Sequence, residues 1–290
     1  MKRFFLFLLV LFASFLFAGE SDEDFRFVYF TDVHLEEGKN AVQGFESAIK
    51  KINELNPDFV ISGGDNIADA LAQPFERADL LYTKYKNIIE KLNMPIFNVI
   101  GNHDVFGVQK KSGVESIHPE YGKKMFVRRL NKTYYAFDYK SWHFIVLDSV
   151  LIDPEGNYFG GVDMEQRDWL KDHLQSIDQE IPIIISMHVP FFSIVPQMDK
   201  RFKKEVFTVN NPVQVLDLFK DHNLKAVLQG HVHYHEVIEA GGIHFISGGA
   251  ICGAWWAGSH KGVEEGFLLL EIKGDEFDWE YIDYGWEVKK

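Results

Sequence analysis

Ile96-Phe97-Asn98-Val99-Ile100-Gly101-Asn102-His103-Asp104 is a run of mostly apolar, β-prone residues that ends on an amide, an imidazole and a carboxylate. Short apolar runs stopped by glycine read as buried strands, so this polar group falls at the carboxyl end of a strand. The pattern recurs. Phe27 to Thr31 leads into Asp32-Val33-His34, Phe59 to Ser62 into Gly64-Asp65-Asn66, and Ile183 to Ser186 into Met187-His188-Val189-Pro190. A shorter run, Ala226-Val227-Leu228-Gln229, leads into Gly230-His231-Val232-His233. Almost every residue in these clusters can bind a metal, and strand ends meet along one edge of a sheet. A site for two metal ions is assembled in this way from distant parts of a chain.

Outward from these clusters, strand and helix patterns alternate. Phe25 to Thr31 reads as a strand, Ala41 to Leu55 as an amphipathic helix closed by Pro57, and Phe59 to Ser62 as the next strand. A helix from Pro74 to Leu92 and a strand from Ile96 to Ile100 complete a βαβαβ order, which implies parallel strands. Tyr134 to Tyr139 and His143 to Asp148 predict a hairpin, Met164 to Ile177 and Pro212 to His222 predict helices, and everything from Val237 onward reads as antiparallel strands. The expected architecture is an α/β fold in four layers, with two mixed β-sheets packed face to face and flanked by helices. No linker divides it, so residues 25–290 are expected to form a single domain.

The chain has 290 residues, 46% of them hydrophobic, enough for a large core. Its formal charge of −13 argues against wrapping a nucleic acid but leaves small phosphate esters open as substrates, since bound cations reverse the field inside a pocket. Lys2-Arg3, the apolar stretch Phe4 to Phe17 and then Ala18-Gly19 have the layout of a secretory signal. Residues 1–18 are therefore expected to be a signal peptide and the protein to be exported. If the segment is not cleaved, it serves as a membrane anchor. The stretch is shorter than the ~20 residues a span needs, so the mature chain is expected to have no membrane span. Cys252, the single cysteine, cannot form an intramolecular disulfide and reads as a small buried residue.

The order Asp-x-His, Gly-Asp-x, Gly-Asn-His-Asp, His, Gly-His-x-His resembles that of the calcineurin-like metallophosphoesterase superfamily, over roughly Phe25 to Tyr284. The resemblance implies a first metal held by Asp32, His34, Asp65 and His233, and a second by Asp65, Asn102, His188 and His231, with Asp65 bridging. It implies divalent or mixed-valence ions, drawn from Mn, Fe or Zn by the nitrogen and oxygen ligands. A hydroxide between the ions would attack phosphorus in line, making the chain a dinuclear phosphoric ester hydrolase acting on diesters or monoesters. His103 would be catalytic rather than a ligand, protonating the leaving group. Asp104 is expected to orient it through its other ring nitrogen.

The purple acid phosphatase branch resembles the chain in Gly-Asp-Asn and Gly-Asn-His-Asp, but its iron-ligating tyrosine falls where Ala68 stands and its first motif lacks the counterpart of His34. The pattern is closer to the cyclic-nucleotide phosphodiesterase-like branch. The alternatives are a nuclease, and a non-catalytic metal-containing recognition protein. Basic residues in Val105 to Arg129 and in Phe191 to Asn211 read as solvated faces, with anion binding as the competing role. Trp255 and Trp256 read either as core or as a stacking surface. His118, His143, His173, His222, His235, His244 and His260 carry no motif and are expected to be structural or on the surface.

Overall fold

The computed structural model describes residues 23–198 and 204–288, so the expected signal peptide lies outside the described residues. Its strands are β1 (Phe25–Phe30), β2 (Phe59–Ser62), β3 (Ile96–Asn98), β4 (Tyr135–Tyr139), β5 (Trp142–Val146), β6 (Val150–Ile152) and β7 (Tyr158–Gly160). Then follow β8 (Ile183–Ser186), β9 (Leu224–Gln229), β10 (His235–Ala240), β11 (Ile243–Gly248), β12 (Gly266–Lys273) and β13 (Glu276–Asp283). One mixed sheet has the order β13-β12-β1-β2-β3 and the other β10-β11-β9-β8-β5-β4. β1, β2 and β3 run parallel, as do β5, β8 and β9.

The strand sequences are apolar on both faces because both faces are covered. Along β1, Phe27 and Tyr29 enter the core between the sheets, while Val28 and Phe30 point to the helical side. In β8 and β9 the same period of two sends Ile184, Ala226 and Leu228 to the inter-sheet core and Ile183, Ile185 and Val227 outward. Helix α1 (Ala41–Leu55) lays Ala41, Phe45, Ala48, Ile49 and Ile52 against the outer face. It stops at Asn56, which takes the left-handed conformation (φ 50°) that asparagine tolerates, before Pro57. Helix α2 (Phe75–Ile89) buries Leu81, Tyr82, Tyr85 and Ile88 in the same layer.

The main departures are local. Pro212–Leu216 is helical, but Asp217–Phe219 tightens to a 3₁₀ turn instead of continuing to His222. β11 pairs antiparallel with β10 but parallel with β9, so the C-terminal part is not wholly antiparallel. The ribbon β6-β7 was not legible, because its strands have three residues each and leave no periodic run.

Phe59 sits at the centre of the inter-sheet core. Its ring stacks on Phe27 at 4.9 Å and meets the edges of Phe144 at 5.3 Å and Phe137 at 5.8 Å, joining the two sheets. Phe59→Ala should destabilise the fold by ~3–5 kcal/mol, read as a lower urea midpoint at unchanged slope. A loss below about 1 kcal/mol would mean that the sheets do not depend on this contact.

Candidate metal centre

Each of the five clusters begins where a parallel strand stops, and the backbone keeps pairing past the strand ends. The amide of Asp32 donates to the carbonyl of Gly64, that of His34 to Asp65, that of Val99 to Ser62, and that of Gly230 to His188. Asp32, His34, Asp65, Asn102, His188, His231 and His233 are thereby brought together, and all are buried. His103 is half-buried beside them.

The carboxylates divide their oxygens. Asp32 Oδ2 accepts from the hydroxyl of Thr31 at 2.8 Å and the amide of His231 at 2.9 Å, whereas the buried Oδ1 faces His233 Nε2 at 3.3 Å. Asp65 Oδ1 accepts from the His103 amide at 2.8 Å. Asp65 Oδ2 lies 3.5 Å from His34 Nε2 and 3.1 Å from His188 Nε2. A Cβ on Gly101 would stand 2.1 Å from the Asp65 amide nitrogen, so only glycine lets the third loop close on the second here.

Three of the four candidate ligand histidines are oriented by backbone carbonyls. His188 Nδ1 donates to Gly63, His233 Nδ1 to Gly253 and His231 Nε2 to Val206, which turns the other nitrogen of each toward the carboxylates. His34 Nε2 lies 3.0 Å from His233 Nε2 and 3.6 Å from Asp32 Oδ1, and His188 Nε2 lies 3.2 Å from Asn102 Oδ1. Ligand imidazoles are held in this manner, by a bond from the nitrogen that faces away from the metal. The residues present therefore fit a pair of cations. Asp32, His34, Asp65 and His233 would hold one, and Asp65, Asn102, His188 and His231 the other.

Electrostatics agrees. Burial opposes charge on His188, yet Asp65 and Asp32 hold its pKa up to about 9. Burial likewise opposes charge on His233, but its contact with Cys252 and the charge of the Asp32 carboxylate keep it well above the usual imidazole value. Burial pushes His34 down to about 4 and His231, with His188 adding to it, down to about 3. The two carboxylates thus hold His188 and His233 toward the charged form while burial holds His34 and His231 toward the neutral one, and cations would take the place of the protons.

Asp104 does not orient His103. Its carboxylate accepts from the amides of Gly101 at 2.8 Å and Asn66 at 3.1 Å and from the Asn66 side chain at 2.9 Å, while His103 Nδ1 is buried and without a hydrogen-bond partner. The 3₁₀ turn Asn102–Asp104 directs the carboxylate back into its own loop. Asp104 and Asn66 brace two of the loops against each other.

Three of the cations in the first basic segment are engaged by carboxylates. Lys123 pairs with Asp148 at 2.7 Å, Arg128 with Glu120, and Arg129 with Asp79 and Glu120. Lys200, Arg201 and Lys203 fall outside the described residues. Cys252 is buried, and burial pushes its thiol up, away from thiolate chemistry. The two tryptophans separate. Trp256 is core, at 1% exposure, and Trp255 lies over the site, its ring centroid 3.8 Å from that of His34. His260 also approaches, with its ring 5.7 Å from His233.

The calcineurin-like phosphoesterase family profile matches residues 25–235. The chain belongs to that family. It is accordingly a metal-dependent phosphoric ester hydrolase. Among curated relatives of this phosphoesterase, the 3',5'-cyclic adenosine monophosphate phosphodiesterase CpdA of Haemophilus influenzae is 23% identical over 74% of the chain and 69% of its own length. The serine/threonine-protein phosphatase CPPED1 of Danio rerio is 25% identical over 72% of the chain and 64% of its own length. A crystal structure of a dimetal phosphatase from Danio rerio superposes with a TM-score of 0.62 at 14% identity, covering 90% of this chain and 96% of that one, and shares the fold.

Two outcomes follow from this geometry. Metal uptake should release protons, because His188 is protonated below about 9 and must give up a proton to coordinate; apparent affinity should then fall as the pH drops below that value. Calorimetric titration in buffers of different ionisation enthalpy measures the release, and uptake without it would contradict the assignment. Asp104→Asn should cost ~2–3 kcal/mol of stability, read as a lower urea midpoint. Intact stability with turnover lost would return Asp104 to the role of orienting His103.

Proposed function

We propose that the phosphoesterase, from Phe25 onward, works as one domain of an exported two-metal enzyme that hydrolyses small phosphodiesters. The observation that carries the reading is the single oxygen Asp65 Oδ2, within reach of His34 Nε2 on one side and His188 Nε2 on the other. A carboxylate oxygen shared by two donor sets suits a pair of ions ~3.5–4 Å apart. When bound, such ions supply Lewis acidity toward the phosphoryl oxygens and lower the pKa of the attacking water.

The chain's own residues do the rest. Asp32 and Asp65 set the charge of the cavity, and the Gly63, Val206 and Gly253 carbonyls fix which imidazole nitrogens face it. His103 is the proton donor to the departing alkoxide in this reading. Its amide is tied to Asp65 Oδ1, and its ring meets that of His34 edge-on at 4.8 Å, half open to solvent. The preference for a diester is supported by the name of the CpdA relative. The net charge of −13 favours small esters over polyanions. Nitrogen and oxygen donors suit Mn, Fe or Zn. Export rests on the layout of residues 1–18.

Protein stripped with a chelator should lose turnover of bis-nitrophenyl phosphate and regain it with Mn²⁺, Fe²⁺ or Zn²⁺. His103→Ala should lower kcat by ~10²–10⁴-fold with the metal content retained. Equal rates with and without chelator would refute the two-metal reading, and cleavage of a DNA or RNA ladder in preference to small diesters would replace it with a nuclease.

A further inference from the structure

Between β11 and β12 the chain makes a turn that a folding argument alone does not explain. Trp255 and Trp256 both adopt left-handed backbone, with φ of 58° and 64°. For bulky residues this is an outlier conformation, and such strain gathers at sites of function. Trp256 has an evident structural task. Its indole is buried, Nε1 donates to the carbonyl of His34 at 3.1 Å, and its ring fills the space over Gly44, where a Cβ would stand 2.3 Å from Cζ3. It pins the turn against α1 and the first ligand loop.

Trp255 has no such task. It is 39% exposed, and its backbone carbonyl, not its ring, takes the nearby hydrogen bond, from Lys39 Nζ at 3.0 Å. A small polar residue would meet the backbone requirement as well and expose less apolar surface. What the indole does touch is the reaction site. It lies tilted over His34 at 3.8 Å, near-parallel to His233 at 5.7 Å, and edge-on to His103 at 5.2 Å. His34 and His233 are buried whereas Trp255 is 39% exposed, so the indole lies between these imidazoles and solvent.

This position matters for the leaving group. An alkoxide that takes a proton from His103 must come within ~3 Å of a nitrogen of that ring, which puts the substituent it carries alongside the indole. Flat rings stack on exposed tryptophan whatever their hydrogen-bonding edges, and the contact is sequence-tolerant. We propose that Trp255 is a specificity platform on which the base of a nucleoside leaving group stacks, making nucleotide-type esters the preferred substrate class. This rests on the hydrolase reading for its consequence, but its test reads binding alone.

The experiment compares adenosine monophosphate with ribose 5-phosphate, which share sugar and phosphate and differ in the base, by calorimetric titration of metal-loaded protein. Wild type should bind adenosine monophosphate about tenfold more tightly. Trp255→Ala should remove that advantage at unchanged metal content, and Trp255→Phe should retain most of it. Equal affinity of wild type for the two ligands, including failure to bind either, overturns the proposal. So does a Trp255→Ala variant that loses both ligands alike along with its metal, since the indole would then serve only to support His34. Absence of turnover on bis-nitrophenyl phosphate would count against the hydrolase reading and leave this comparison intact.

Discussion

Asp65 gives one carboxylate oxygen to the amide of His103 and holds the other between two groups of imidazoles, and much of the surrounding structure keeps that oxygen in place. The loop that carries it is bonded to the first ligand loop through the Asp32 and His34 amides, and to the third through Asn66 and Asp104. Below it, Ser62 donates to Asn66 Oδ1 and the Tyr85 hydroxyl reaches Ser62 and Asn98, so α2 also supports the arrangement. A carboxylate this deeply buried is stable only with matching positive charge. Imidazolium groups or metal ions supply it, and the balance between them is what couples metal loading to pH.

That the seven candidate ligands converge was legible because each stands at the end of an apolar run, and their order along the chain repeats a known pattern. The fold was legible for the same reason: β2, β8 and α1 have the predicted bounds, since the strands are continuous apolar runs and the helix is apolar near helical spacing. Elements without a sustained apolar run were missed or overextended, namely the three-residue strands β6 and β7 and the helix from Pro212. Asp104 shows a different limit. Adjacency to His103 suggested contact, but neighbouring side chains in a tight turn point in different directions, and its carboxylate is drawn to unpaired amides instead.

Backbone conformation was the least readable feature. Asp32, His34, Asp65, His231 and His233 all have positive φ, between 43° and 73°, although none is glycine. Nothing in their identities announces this; it follows from the need to turn sharply at a strand end while presenting a donor. Trp255 and Trp256 have the same conformation, and in their case it separates two adjacent, identical residues into an anchor and an exposed surface.

The donors are also far apart in the chain. The amide of His231 meets Asp32 Oδ2, and His34 meets His233, across 199 residues in each case. β1, which leads to Asp32, has β2 on one side and β12 on the other, so its sheet is finished only by residues near the C-terminus. Such long-range closure makes for slow folding. Asp32, His34 and Asp65 all precede β3 in the chain, yet the donors that would complete a cation site arrive only with β8 and β9. Metal capture is therefore a late event, and it marks a molecule whose two sheets have already closed.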